Sequence, residues 1–318
     1  MKKCHLICMQ GIILKISVYF FGIWIIVVTF VLKKVMAYFH VYTKGLEDRQ
    51  IFKEKEDYVA GMNLLAVNVN SCDIRMLAFT LMSNHFHFVV EGTEELAERF
   101  IRAYKGCISR YLRLKYGDVK FLRRIKTNVS VVDDVEEGLK KLIAYVLNNP
   151  VKAGINCVPQ GYEWSSARCY FSNRDYLQDT VSLDQYGVTK QRELFHSKKR
   201  LPAHWRVTSL GYVLPQSYVD FELVERLFGR SRSFEYFLSR SLAHRTSVNE
   251  NVIFSDAVVN AALNELLDKK YGALSVNELD DFLKRNIIRD LKGRFSATAK
   301  QLARLMEIPL KDVLRYLE

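Results

Sequence analysis

The chain has 318 residues, 49% of them hydrophobic, and a formal charge of +12. The apolar share calls for a sizeable core, and six scattered cysteines (Cys4, Cys8, Cys72, Cys107, Cys157, Cys169) exclude a disulfide scaffold or a paired-cysteine zinc site, which points to a reduced, cytoplasmic setting. The charge favours polyanionic partners, nucleic acid first and an anionic membrane second.

Residues 1–35 stand apart as an apolar extension. Ile12 to Leu32 carries one charge, Lys15, and is long enough for a transmembrane helix. Lysines flank it on both sides, which gives no orientation, and no small-residue cleavage site follows. Met36 comes next, and a strand begins at once. A span joined so closely would press the following sheet into the headgroups. The expectation is that translation starts at Met36 and that 1–35 is a start-site artefact; a membrane anchor is the alternative. Removing 1–35 takes away five lysines and no acid, which lowers the charge from +12 to +7.

Residues 37–43 read as a strand ending at Lys44-Gly45. Glu54 to about Val69 reads as a helix, with Tyr58, Met62, Leu65 and Val69 at helical spacing. Ile74–Thr80 and His85–Glu91 form a hairpin of two strands across a tight turn. Thr93–Tyr116 is a long amphipathic helix with Phe100, Ile101, Tyr104, Ile108, Tyr111 and Leu112 on its apolar face. Between Ile101 and Lys126 nine cations (Arg102, Lys105, Arg110, Arg113, Lys115, Lys120, Arg123, Arg124, Lys126) meet one acid, Asp118. A solvated face normally mixes signs, so this stretch is the best candidate for a phosphate track. Asn128–Val132 is a short strand. Asp133 or Asp134 caps the next helix, which runs to about Asn148 and is stopped by Pro150.

This order predicts an α+β fold, a ferredoxin-like antiparallel sheet with helices packed on it, over residues 36–171. Residues 172–205 are weak and polar and read as a linker. Residues 206–318 read as an all-helical domain, with helices at Tyr218–Phe228, Ser233–Arg240, Asp256–Lys270, Val276–Lys292 and two short ones from Thr298. The last pair resembles a helix-turn-helix: Ala303 allows close crossing, Ile308 fills the turn and Val313 packs the second helix, which would offer Lys311 and Arg315 to DNA. The departure is Glu307, where such turns usually carry glycine.

The chemistry sits on two of these elements. In a strand, alternate side chains share a face, so His85 and His87 converge where a divalent cation could bind. On the helix before Pro150, Tyr145 and Asn149 are four apart and share a face. Four stretches in one order carry a family resemblance: His40-Val41-Tyr42-Thr43-Lys44-Gly45, Ser83-Asn84-His85-Phe86-His87, Tyr145 through Gly154 with Asn148-Asn149-Pro150, and Trp164-Ser165-Ser166. Over residues 37–171 the chain resembles the single-tyrosine HUH endonucleases, most closely the REP-associated tyrosine transposases. The resemblance implies that His85, His87 and Asn149 hold Mg2+ or Mn2+, and that Tyr145 is the nucleophile. It implies single-stranded or hairpin DNA as substrate, with palindromic repeats as targets, and a 5′-phosphotyrosine product with a free 3′-hydroxyl. Lys152 follows in the same motif and is counted with the DNA contacts. The competing expectation is a non-catalytic DNA-binding regulator. Monomer and dimer both remain open.

Overall fold

The protein is described here by a computed structural model covering residues 3–9, 12–18, 31–34, 36–43, 49–117, 122, 125–156, 158–172, 179–242, 254, 256–272 and 275–318. Lys120, Arg123 and Arg124 of the basic stretch lie outside the described residues.

Strands β1 (Lys3–Met9), β2 (Ile12–Val18) and β3 (Val31–Lys34) form a three-stranded antiparallel sheet. At both ends of Ile12–Leu32, where the alternative reading put a membrane helix, the described residues are strand. Isoleucine and valine, branched at Cβ, suit extended backbone as well as they suit a membrane helix. Among the described residues no helix is long and apolar enough to cross a membrane.

The central sheet begins with β4 (Ala37–Thr43). Its alternation is strict: Phe39, Val41 and Thr43 are buried on one face, and Tyr38, His40 and Tyr42 point the other way. Helix α1 (Lys55–Cys72) starts with a reciprocal capping box between Glu54 and Asp57. Strands β5 (Arg75–Met82) and β6 (His85–Gly92) pair across the two-residue turn Ser83-Asn84. Helix α2 (Glu94–Tyr116) is capped by Thr93 and ends at Gly117, whose φ of 82° suits glycine. Strand β7 (Thr127–Val131) then joins β4 as an edge. The sheet order is β5-β6-β4-β7, antiparallel throughout. Phe86 and Phe88 of β6 meet Phe100 and Tyr104 of α2 edge-on, so α2 covers the face opposite to the histidines.

Helix α3 (Glu137–Leu147) is capped by Asp134, whose Oδ1 accepts from the Glu136 and Glu137 amides at 3.0 Å. Pro150 does not stop the chain's helical path as expected. It sits in the first turn of a further helical segment, Asn149–Lys152, where a missing N–H costs nothing.

The expected linker is also corrected. Residues 172–205 contain β8 (Thr180–Ser182), which pairs with β9 (Arg206–Thr208), and helix α4 (Val188–Phe195). They bury Leu183, Phe195 and Trp205 in the first core. Buried Asn63 of α1 ties this segment down: its Nδ2 donates to the Leu194 and Gly211 carbonyls at 2.9 Å, and its Oδ1 accepts from the Val213 amide at 2.8 Å. Helices α5 (Phe221–Phe228) and α6 (Ser231–Leu242) belong to the same core through Phe228, Phe234 and Leu238. The first body thus runs to residue 242, not 171.

A second, separate core spans Val259 to Tyr316. It is built from α7 (Asp256–Glu265, continued as a π-helical turn over Leu266–Tyr271), α8 (Asp281–Phe295), α9 (Ala299–Met306) and α10 (Leu310–Leu317). Between α9 and α10, Glu307 adopts the left-handed conformation, φ 54°, that a glycine would take without strain.

Candidate active site

Strand register brings together a histidine that spacing alone does not. Tyr42 of β4 lies opposite His87, and His40 lies opposite Val89, so His40, Tyr42, His85 and His87 share one sheet face. His40 Nε2 and His87 Nδ1 are 3.0 Å apart. The His40 ring stacks on Tyr42 at 4.3 Å between centroids, and the His85 and His87 rings meet edge-on at 5.0 Å. His87 is 4% exposed; His40 and His85 are half-buried.

The tyrosine helix covers this face, and Pro150 explains its register. Lacking an N–H, Pro150 leaves the Val146 carbonyl without its helical donor. Thr80 Oγ1 of β5 takes that carbonyl at 2.8 Å, and Asn149 Nδ2 approaches it at 3.2 Å. Thr80 is the cross-strand neighbour of His87. The bolt therefore sets the Tyr145 ring 5.7 Å from the His87 ring and 5.9 Å from the His40 ring, edge-on to both. Tyr145 stays 39% exposed, so its phenol can be reached from solvent. Lys152 Nζ sits 4.4 Å over its ring.

Burial sets the charge state of the site. It lowers His40 to about 4. It lowers His87 to about 2, helped by His85, His40 and Lys152. His85 falls to about 4, first through burial and then through Arg304, against a hydrogen bond with Asn149 that favours the charged form. All three imidazoles are neutral at pH 7, the state that binds metal. Burial, and then Tyr42, raises Tyr145 above the usual phenol value.

Whether a cation suits these residues turns on tautomers. His85 Nδ1 faces Asn84 Oδ1 at 2.7 Å and must donate to it, which leaves Nε2 a lone pair. Asn149 spends its Nδ2 on the Tyr145 and Val146 carbonyls, so its oxygen is the atom turned to His85. With that tautomer, His85 Nε2 and the Asn149 oxygen are two donor atoms side by side, a pairing that a cation would suit. His40 plays the matching part at His87: an Nδ1–H donated to His40 leaves His87 Nε2 as the ligand atom. Among the described residues no three His, Cys, Asp or Glu side chains are grouped to hold a metal ion; the donors a cation would meet here are His85, His87 and the Asn149 amide oxygen. The residues present fit a divalent cation.

The cations expected to bind phosphate divide into separate places. Arg102, Lys105, Arg110 and Arg113 line a groove of about 360 Å³ between α2 and Thr127 at the β7 edge. Lys105 Nζ also donates to the Ile125 carbonyl at 2.6 Å, and Lys126 is exposed beside it. Lys115 is diverted to Glu54 and, at 2.8 Å, to fully buried Asp57. This groove lies on the helix-covered side of the sheet, not beside Tyr145. Lys152 instead lines a second groove, about 460 Å³, with Lys141, Phe237 and Arg240. Sequence spacing could not reveal that groove, because α6 is folded against α3 from some 90 residues away, with Asn148 Nδ2 donating to the Leu238 carbonyl. Lys311 and Arg315 sit on the exposed side of α10, where Arg315 meets Asp281 at 3.4 Å; the structure does not bring them to the histidines.

No family model matches the sequence, and no curated protein matches it significantly. Among solved structures, the chain is similar to a REP-associated tyrosine transposase bound to a REP hairpin, at 14% identity, covering 55% of this chain and 93% of that one, with a TM-score of 0.34. A likeness at that score carries no weight for the chemistry, which rests on the arrangement described above.

Proposed function

We propose that the protein is a divalent-metal-dependent DNA strand transferase that cleaves single-stranded or hairpin DNA through a covalent bond to Tyr145. One observation carries the reading: an exposed phenol lies edge-on, 5.7 Å from buried His87, over the sheet face that also carries His85, with Asn149 turned to His85 from the helix. The order β4-α1-β5-β6-α2-β7 with sheet order β5-β6-β4-β7 agrees with the ferredoxin-like reading of the first body.

His85, His87 and Asn149 would hold Mg2+ or Mn2+, and such an ion offsets charge on a phosphate oxygen and on the phenolate. The chain's own groups do the rest. Tyr145 Oη attacks phosphorus in line as it loses its proton, and the 3′-oxygen leaves and takes up a proton, giving a 5′-phosphotyrosine and a free 3′-hydroxyl. The Lys152 ammonium packs over the ring and helps hold it in place. Thr80 and Pro150 hold the helix so that Oη is aimed before substrate arrives. The Lys141–Lys152–Arg240 groove on the tyrosine side suits the strand near the scissile phosphate, and the α2 groove suits phosphates further along. Helices α9 and α10 would add DNA contacts through Lys311 and Arg315 if they act as a helix-turn-helix.

The test is an adduct assay: full-length protein, short single-stranded and hairpin oligonucleotides, and Mn2+ or Mg2+. A denaturation-resistant protein–DNA species is expected with the wild type and none with Tyr145→Phe. Salt-sensitive binding without an adduct under either metal would favour a non-catalytic regulator instead.

A further inference from the structure

The second body meets the first beside the turn that launches the histidine strand. Asp256, the first residue of α7, is 4% exposed. Arg304 of α9 grips it with two bonds, Nε to Oδ2 at 2.8 Å and Nη2 to Oδ1 at 2.9 Å, and Gln301 Nε2 adds a third at 2.9 Å. The carboxylate also accepts from Ser83 Oγ, two residues before His85. Ser83 is itself 4% exposed.

A second arm converges on the same turn. The Ser83 carbonyl accepts from the Ile51 and Phe52 amides at 2.6 and 3.0 Å. On either side of those residues, Arg49 and Lys53 are ion-paired to Glu307, the strained residue between α9 and α10. Asn260 Nδ2 of α7 donates to the Lys53 carbonyl at 3.3 Å. The helical body thus holds the Ser83 side chain directly and the segment gripping its carbonyl indirectly. A buried carboxylate with three polar partners is costly unless all stay in place, which makes the docked position specific.

We propose that the C-terminal helical body is a clamp on the metal site: Asp256, held by Arg304 and Gln301, positions His85 through Ser83, so that cation binding requires the body to be docked. This rests on the reading of His85 and His87 as metal ligands. It assigns Asp256 and Ser83 as positioning residues that act through the Ser83-Asn84 turn, two residues before a ligand, and it gives α9 a role in the first body's chemistry whether or not α10 meets DNA.

Ser83→Ala tests the clamp with little risk to folding, because Asp256 keeps Arg304 and Gln301 and the Ser83 carbonyl keeps both amides. Two measurements on the full chain are needed: Mn2+ affinity by calorimetry, and amide hydrogen exchange over residues 83–87 without metal. The expected result is Mn2+ affinity weaker by about 10-fold, the lower end of the effect of groups bonded directly to a metal ligand, with faster exchange at 83–87 and unchanged exchange in α8. Unchanged exchange at 83–87 overturns the clamp. Faster exchange with unchanged Mn2+ affinity also overturns it, since the turn would then be held without positioning a ligand. If the wild type takes up no Mn2+, the metal reading itself fails, and the exchange comparison alone decides whether the body holds the turn.

Discussion

The two faces of one strand, β6, obey different physics. Phe86 and Phe88 point into a face sealed by α2, where Phe100 and Tyr104 complete an all-aromatic contact. His85 and His87 point the opposite way, into a face sealed only in part by α3, where His87 Nδ1 meets His40 and His85 Nδ1 meets Asn84. The apolar face tolerates any side chain of the right volume. The polar face depends on tautomers and on a carbonyl that Pro150 leaves open. One residue of register slip would exchange the two. Substitutions on the apolar face should therefore act mainly on stability, and those on the polar face mainly on chemistry.

Each prediction tries to break that division. The largest effect belongs to Tyr145→Phe, which removes one oxygen from an exposed position: covalent adduct formation falls to background while the urea midpoint stays within error. Next, His87→Ala should remove metal-stimulated cleavage, by about a hundredfold or more, and Mn2+ uptake measured by calorimetry. On the other face, Phe88→Ala should cost about 3–5 kcal/mol in chemical denaturation, with cleavage per folded molecule unchanged. A stable Phe88→Ala, or one that folds but cannot bind Mn2+, breaks the division. Thr80→Val tests the bolt between sheet and tyrosine helix. It keeps shape and loses one hydrogen bond, so stability falls by about 1 kcal/mol, while adduct formation slows roughly tenfold or more because the phenol is no longer held.

The pH prediction follows from the same face. His40 and His85 are held near 4 and His87 near 2, against an ordinary 6.5. Below 6.5 the unfolded chain binds protons that the folded site refuses, so stability of the metal-free protein is full above that pH and falls as pH drops toward 4. Urea midpoints at pH 7.5, 5.5 and 4.5 check this, and His40→Asn should flatten the slope. The smallest effect is at Arg110. Arg110→Ala in the α2 groove should lower the salt dependence of DNA binding by about one counterion and leave Mn2+ affinity unchanged.

Much of the site could be read along the chain, because its spacing is local. His85 and His87 obey a period of two, and Tyr145 and Asn149 sit four apart on a helix. His40 belongs to the same face, yet nothing in its neighbourhood says so; only the pairing of β4 with β6 puts it against His87. From the sequence Pro150 is a stop, because a proline removes a helical bond. What the sequence hides is where the orphaned carbonyl goes, and Thr80 lies 66 residues away. The supposed linker failed for a related reason. Its buried residues are widely spaced and held by a polar anchor, Asn63, so neither period is visible. Glu307 was legible as an odd residue in a turn, but its ion pairs with Arg49 and Lys53 span some 250 residues.

The most direct measurement is to digest the protein after incubation with Mn2+ and a cleavable oligonucleotide, and to find the peptide that carries the nucleotide. A 5′-phosphate linked to Tyr145, formed only with a divalent cation, is the predicted result. Cleavage that leaves two free ends and no adduct, or an adduct on any other residue, would contradict the assignment of Tyr145 as the nucleophile.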